Sequence, residues 1–194
     1  MSYICFDTET SGLDPECNLL TACFIVLDEN LNEIDILNLQ IKDDYYYVSA
    51  RALEINHINL IEHTNDKSSV TLLQASKLLY EFLNKNKRGY PLVPIGHNLE
   101  FDIGFVKKLL PNGDYNKFIS FNKIDTIVLA QFLKLSNQIS KYQSISLVNL
   151  AQLYNIKIPG QAHTAEYDTK MTIEVLKHMK SSEHSLYPNK KLKK

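Results

Sequence analysis

The order of apolar and polar positions predicts a group of strands at the start of the chain. A short apolar run predicts a buried strand over Tyr3–Phe6, and a second apolar run, rich in residues that suit a sheet, predicts a strand over Leu19–Leu27. Between Ile34 and Lys42, apolar residues alternate with polar ones, which is typical of a strand with one face in water. Three strands in succession predict a meander.

After residue 67 the apolar spacing changes to that of helices. Apolar residues three and four positions apart predict a helix over Ser68–Leu83, with Ser68 as its N-terminal cap. A strand over Leu92–Gly96 and a helix over Asn98–Leu110, ended by Pro111, follow. The remaining predicted elements are a strand around Phe118–Ile124 and helices from about Thr126, near Ile145–Tyr154 and over Ala165–Met179. Strands followed by alternating helices and strands predict an α/β fold, a mixed central sheet flanked by helices.

The chain divides into one predicted domain, residues 1–180, and a short tail, residues 181–194. A length of 194 residues suffices for one well-buried core. The tail is polar and basic, and the absence of apolar spacing favours a chain end without fixed structure. The alternative is a basic arm that contacts nucleic acid or a partner protein.

Composition indicates an ordinary globular protein, because 44% of the residues are hydrophobic and 22% are charged. No run approaches the roughly 18 apolar residues of a membrane span. Acidic residues stand where a secretory signal would have its apolar part. Cys5, Cys17 and Cys23 lack the paired spacing of a disulfide framework or a zinc site. We therefore expect a cytoplasmic protein that makes no membrane contact.

The net charge of −1 gives the chain no general attraction for phosphate groups. A protein that binds nucleic acid through Lys and Arg alone is usually basic. An enzyme that holds divalent cations can be neutral overall, because the metals supply positive charge at the site. The charge balance thus favours metal-assisted chemistry over passive nucleic-acid binding.

Two acids extend the first apolar strand. The alternation of a strand places Asp7 and Glu9 on the same face, together with Tyr3 and Cys5. Glu33 and Asp35 have the same spacing, but a solvated sheet face accounts for them. Asp7 differs because it continues directly from an apolar run.

Two further acids begin apolar helical faces. Asp168 lies on the stripe that contains Val175, and Asp102 lies on the stripe that contains Phe105 and Leu109. Burying several carboxylates together is costly, because each loses its hydration and repels the others. The helix dipole accounts for one or two such acids but not for four. Divalent cations offset both costs, and an all-oxygen ligand set suits Mg²⁺ or Mn²⁺.

His163 lies five residues before Asp168, in the predicted turn that leads into the last helix. Since imidazole exchanges protons near neutral pH, a histidine beside a metal ligand is a candidate general base. His97 is the next candidate for this role.

Three segments resemble the motifs of the DnaQ-like, or DEDD, exonuclease family. The first is Asp7-Thr8-Glu9 with the turn that follows it, and the second is residues 97–105, HNLEFDIGF. The third is residues 163–168, HTAEYD, in which the spacing from the histidine to the aspartate resembles that of the DEDDh branch. The resemblance extends in order over roughly residues 3–180. It implies a ribonuclease H-like fold and 3′–5′ exonuclease activity with two Mg²⁺ or Mn²⁺ ions.

The resemblance also implies roles for individual residues. Asp7, Glu9 and Asp168 would hold one metal, Asp7 and Asp102 the other, and His163 would deprotonate the attacking water. Residues that would contact the substrate are Thr10, Leu13, Asn98 and one of Asn56 and His57. The choice between Asn56 and His57 stays open, because a His-Gly-Ile found in the family corresponds here to Asn56-His57-Ile58. Asp125 resembles the family's acid before a helix and is predicted to be a cap.

The expected substrate is a single-stranded or frayed nucleic-acid 3′ end, with DNA proofreading or degradation favoured. A small-RNA exonuclease and a non-catalytic nucleic-acid-binding module of the same fold are the alternatives. A DNA polymerase or another replication protein is the expected partner.

Overall fold

One mixed sheet forms the centre of the computed structural model, which describes residues 2–87, 89–110, 113–160 and 163–182. The strands found in these residues are β1 Tyr3–Thr10, β2 Leu19–Leu27, β3 Glu33–Lys42, β4 Val70–Thr71, β5 Val93–Gly96 and β6 Ile124–Asp125. Their order in the sheet is β4-β3-β2-β1-β5-β6. Strands β1, β2 and β3 form an antiparallel meander, whereas β5 is parallel to β1 and β6 is parallel to β5. The carboxyl ends of β1, β5 and β6 therefore meet at one edge of the sheet.

Helices cover both faces of the sheet. The described helices are α1 Ala50–Asn56, α2 Leu60–Asn65, α3 Leu72–Asn86, α4 Leu99–Leu109, α5 Asp114–Phe118, α6 Thr126–Leu135, α7 Leu147–Leu153 and α8 Ala165–Ser182. Ile4 and Phe6 of β1 share a buried cluster with residues of α3 and α4. Cys5, between them, belongs to the cluster that includes Ile173 and Leu176 of α8. The predicted α/β fold is confirmed, and alternation along β1 decides which helix each side chain meets.

Two predicted boundaries are corrected. Helix α3 begins at Leu72 with Thr71 as its N-cap, because the Thr71 and Gln74 side chains form a reciprocal capping box. Ser68 instead bonds to Asp66 in the preceding turn. The strand predicted around Phe118–Ile124 is mostly absent. Helix α5 takes its first part, and only an isolated bridge at Ile119 and the short β6 pair with the sheet.

Helices α1 and α2 were not predicted from the sequence. Their buried residues are polar, Asn56 in α1 and His63 in α2, so neither helix has the apolar stripe that marks a helix. Cys5, Cys17 and Cys23 are buried free thiols.

Among the helices of the described ranges, none is both long and apolar enough to cross a membrane. Pro111 and residues 183–194 of the tail lie outside the described residues, so the predictions made for them stay predictions.

Candidate active site

Three carboxylates meet where β1 ends and α8 begins. Each of Asp7, Glu9 and Asp168 offers an oxygen, and these oxygens all lie within 4.8 Å of one another. Asp7 and Glu9 point to the face of the sheet that α8 covers, because they keep the alternation of Cys5. Asp168 stands in the first turn of α8. All three side chains are partly accessible, so the cluster is open to a ligand from solvent.

The cluster favours bound protons when it holds no cation. Burial, and then the charges of Asp102, Asp168 and Glu9, raise the pKa of Asp7 well above its usual range. Burial, and then the charges of Asp168 and Asp102, raise the pKa of Glu9 to about 8. Burial also raises the pKa of Asp168, and the charge of His163 opposes this shift. A divalent cation would offset the same repulsion, so the donor set fits Mg²⁺ or Mn²⁺.

Asp102 approaches from the opposite face of the sheet. It is 3% exposed, and its Oδ1 accepts hydrogen bonds from the Thr8 backbone N at 2.9 Å and from Thr8 Oγ1 at 2.6 Å. Burial raises the pKa of Asp102 to about 7, while the two bonds from Thr8 oppose the shift. Asp102 does not belong to the group of three carboxylates, although its charge raises the pKa of Asp7 and Glu9. Its predicted role as a ligand of a second metal stays a prediction.

Thr8 is the site residue that the sequence did not reveal. Alternation places it opposite Asp7 and Glu9, on the face covered by α4, and it is 7% exposed. Thr8 follows Ile4 and Phe6 on the same face of β1, and a polar residue on this otherwise apolar face could have indicated its role. Thr8 connects β1 to α4 and thereby joins the two halves of the site.

Asp125 fixes the start of α4, the helix that carries Asp102. Its carboxylate accepts hydrogen bonds from the backbone N of Asn98 at 3.2 Å and of Leu99 at 2.8 Å. It also accepts from the backbone N of Ile127 at 2.8 Å, so it is the predicted cap of α6 as well. One side chain therefore holds the N-termini of two helices.

We expect Asp125→Ala to lower the free energy of unfolding by about 1–2 kcal/mol, the usual effect of a lost helix cap. It should also weaken Mn²⁺ binding, because the turn before Asp102 loses its anchor. Thermal unfolding and calorimetric titration with Mn²⁺ measure the two effects.

Asn59→Ala is the matched control, since Asn59 caps only α2. This variant should lose stability and keep its Mn²⁺ affinity. Equal affinity in both variants would contradict the positioning role of Asp125.

Asn56 supports Glu9. Its side chain is 5% exposed, and its amide donates to the backbone O of Thr10 at 3.1 Å and to the Glu9 carboxylate. Its Oδ1 accepts from the backbone N of Ile58 at 3.1 Å. His57 adopts a left-handed backbone conformation at the end of α1, and it is exposed. Of the two alternatives, Asn56 is therefore the residue that reaches the carboxylates, and its contact with substrate stays a prediction.

The other predicted substrate contacts lie around the same edge of the sheet. Thr10 is buried, and its hydroxyl donates to the backbone O of Gly12 at 2.7 Å. Leu13 is 80% exposed on the turn that follows β1. Asn98 is exposed in a left-handed conformation at the N-terminus of α4. Their placement is compatible with substrate binding, which stays a prediction for all three.

His163 lies two residues before the start of α8. Its backbone is left-handed, with φ of 61°, and its backbone N–H donates to the Asp168 carboxylate. His97 is held in another way, because its Nδ1 lies 2.8 Å from Thr126 Oγ1. Burial lowers the pKa of His97. The geometry thus favours His163 over His97 as the histidine that acts beside the carboxylates.

The pKa shifts predict how pH changes the stability of the metal-free protein. The folded state keeps protons on Glu9 up to about pH 8, whereas an unfolded chain loses them near 4.5. The folded state therefore binds more protons across this interval, and its stability should fall as pH rises. Melting curves in EDTA between pH 5 and pH 8 should show this fall.

Added Mg²⁺ or Mn²⁺ should raise the melting temperature more at the upper end of this range, because the metals bind the ionised carboxylates. Glu9→Gln should show a weaker pH dependence than the wild-type chain. If the melting temperature of the wild-type chain in EDTA rises with pH, the assigned pKa shifts are contradicted.

Comparison with known proteins agrees with this geometry. The model of the RNase T exonuclease family matches residues 4–176. The chain belongs to this exonuclease family. This confirms the resemblance drawn from the three motifs and makes the chain a nuclease domain of the hydrolase class.

The exonuclease domain is similar to parts of larger proteins. It is 28% identical over 185 residues to a PolC-type DNA polymerase III of Clostridium perfringens, covering 90% of this chain and 11% of the polymerase. Exonuclease I of Methylocaldum szegediense superposes with a TM-score of 0.77 at 19% identity, covering 96% of this chain and 42% of the other. Escherichia coli exonuclease I in complex with a dT13 oligonucleotide superposes with a TM-score of 0.74 at 18% identity, covering 96% of this chain and 42% of the other. The chain thus spans about a tenth of the polymerase and less than half of each exonuclease I. The predicted ribonuclease H-like fold is confirmed.

Proposed function

We propose that this domain is a metal-dependent 3′–5′ exonuclease that removes nucleoside 5′-monophosphates from the 3′ ends of single-stranded nucleic acid. The observation that carries the proposal is the cluster of Asp7, Glu9 and Asp168 in a member of an exonuclease family. The position of His163 beside Asp168 supports it.

The carboxylates divide between two cation positions in this proposal. Asp7, Glu9 and Asp168 would hold one cation, and Asp7 and Asp102 would hold the other. Such cations would supply the positive charge that favours ionisation of the attacking water and offsets the charge on the leaving oxygen. Asn56 and Thr8 keep Glu9 and Asp102 in place through the hydrogen bonds described above.

One histidine, His163, acts as the proton acceptor in this proposal. His163 accepts a proton from the attacking water, and the water oxygen forms a new bond to phosphorus. The bond between phosphorus and the O3′ of the preceding nucleotide breaks. The electron pair stays on O3′, which takes up a proton and becomes the new 3′ hydroxyl of the shortened strand.

DNA is the favoured substrate, in proofreading or in degradation. The similarity to a PolC-type DNA polymerase III supports a replication context and a polymerase partner. The similarity to an exonuclease I that was crystallised with an oligonucleotide of thymidines supports a single-stranded DNA substrate. The intact acids and His163 argue against a purely binding module, since binding alone requires neither a carboxylate cluster nor a base.

A digest of matched, 5′-labelled DNA and RNA oligonucleotides with Mg²⁺ or Mn²⁺ tests the proposal. The single strands should shorten by one nucleotide at a time from their 3′ ends, with DNA degraded faster than RNA. A closed circular single strand should resist, because it has no 3′ end. Efficient cutting of the circle would contradict exonuclease action, and faster degradation of RNA would favour the small-RNA alternative.

A further inference from the structure

The loop between β3 and α1, residues 43–49, is fixed against the turn that follows Glu9. Ser11 Oγ donates to the backbone O of Tyr47 at 2.6 Å, and the backbone N of Ser49 donates to the backbone O of Ser11 at 2.7 Å. The Asn18 side chain donates to the backbone O of Tyr45 at 2.9 Å and accepts from the backbone N of Tyr47 at 2.8 Å. Hydrogen bonds from Ser11 and Asn18 therefore hold the backbone of the loop against the segment that follows β1.

Gly12 permits this close packing. A side chain at Gly12 would come within 2.5 Å of Cys17 Sγ and 3.4 Å of Ser49 Cβ. Only glycine therefore lets the turn close over Cys17 while it lies against the loop.

The three tyrosines of the loop differ in their exposure to solvent. Tyr46 is half-buried, and its hydroxyl lies 2.9 Å from Thr64 Oγ1 and accepts from the backbone N of Asp43 at 3.0 Å. Tyr45 and Tyr47, on either side of it, are 81% and 66% exposed. Their backbone atoms form hydrogen bonds with Ser11 and Asn18, while their rings are exposed to solvent. The folding of the loop thus accounts for Tyr46 but not for the exposure of its two neighbours.

Exposed aromatic rings on a fixed backbone suit the flat faces of nucleobases, which stack on aromatic side chains regardless of sequence. The charge of the loop argues against a contact with phosphate, since Asp43 and Asp44 are exposed beside the rings. Leu13 adds an exposed apolar side chain on the adjoining turn. The surface therefore fits the bases of a strand and not its phosphate backbone.

We propose that Tyr45 and Tyr47 form a stacking platform for bases of a single-stranded substrate that lie upstream of its two terminal nucleotides. The platform rests on the proposed exonuclease function, because it needs a strand whose 3′ end lies at the carboxylates. It lengthens the binding site beyond the terminal nucleotide and gives it no sequence preference.

Kinetics on a length series test the platform. Tyr45→Ala and Tyr47→Ala should each raise KM for single strands of about eight nucleotides by roughly 5- to 100-fold, the range for one lost stacked base. Neither variant should change kcat or KM on a dinucleotide, which is too short to reach the rings. Tyr45→Phe and Tyr47→Phe should behave as the wild type, because phenylalanine keeps the ring.

Tyr90→Ala is the matched control. Tyr90 is 84% exposed, but it precedes β5, at the edge of the sheet opposite the carboxylates. This variant should keep the wild-type KM at every length. An unchanged KM in both alanine variants, or an equal loss on the dinucleotide, would overturn the platform.

The platform and the proposed function can fail separately. A wild-type chain that degrades the whole series, with kinetics that the alanine variants share, would refute the platform alone. A wild-type chain without activity would refute the proposed function. The platform is then decided by fluorescence anisotropy of a labelled single strand with Ca²⁺, where equal Kd values for wild type and both alanine variants overturn it.

Discussion

Asp7→Ala, Glu9→Ala and Asp168→Ala are each expected to lower kcat by about 10³-fold or more, because metal ions supply several kcal/mol of transition-state stabilisation. Asp102→Ala should have a similar effect if it holds the second cation. The fold should persist in all four variants. The metal-free Asp7→Ala, Glu9→Ala and Asp168→Ala variants should even be more stable than the wild type near neutral pH, since each substitution removes a carboxyl group whose ionisation is opposed by burial and by its acidic neighbours.

Glu33→Ala provides the control for these variants. Glu33 is an exposed carboxylate at the start of β3, and it has the same spacing to Asp35 that Asp7 has to Glu9. Its removal should leave kcat unchanged. Single-turnover rates at saturating Mg²⁺ distinguish weak metal binding from lost chemistry, and a near wild-type rate in Asp168→Ala would refute the ligand assignment.

His163→Ala is expected to lower kcat by about 10²–10⁴-fold, the usual loss when a positioned proton acceptor is removed. Mn²⁺ affinity should survive, because the histidine stands beside the carboxylates without belonging to the ligand set. Calorimetric titration with Mn²⁺ and steady-state kinetics on the same preparation separate the two effects.

Two outcomes would contradict this role for His163. Loss of Mn²⁺ affinity would make it a ligand. An unchanged kcat would move the base elsewhere, and a kcat lost in His97→Ala without loss of stability would identify His97.

The sequence predicted the carboxylate-bearing face of β1 because alternation is a local property of a strand. Asp7 and Glu9 follow Cys5 at intervals of two, and the structure places Asp168 of α8 beside them. The buried Thr8 bonds to Asp102, and this contact joins residues 94 positions apart. No periodicity of a single strand or helix contains that information.

The short helices α1 and α2 also could not be predicted from the spacing of apolar residues. Asn56 lies at the end of α1 and is buried against Thr10 and Glu9, so a tertiary contact fixes a segment that lacks an apolar stripe. Resemblance to the family pointed to Asn56 and His57 together. The structure was needed to show which of them faces the carboxylates.

The central claim is that this domain uses divalent metal and water to cleave the bond between phosphorus and O3′ at a 3′ end. Digestion of a single-stranded DNA oligonucleotide in ¹⁸O-labelled water with Mn²⁺, followed by mass spectrometry, tests it most directly. We predict nucleoside 5′-monophosphates that carry one ¹⁸O, shortened strands with unlabelled 3′ hydroxyls, and no reaction in EDTA. Products that end in 3′-phosphates, internal fragments, or equal degradation in EDTA would contradict the account.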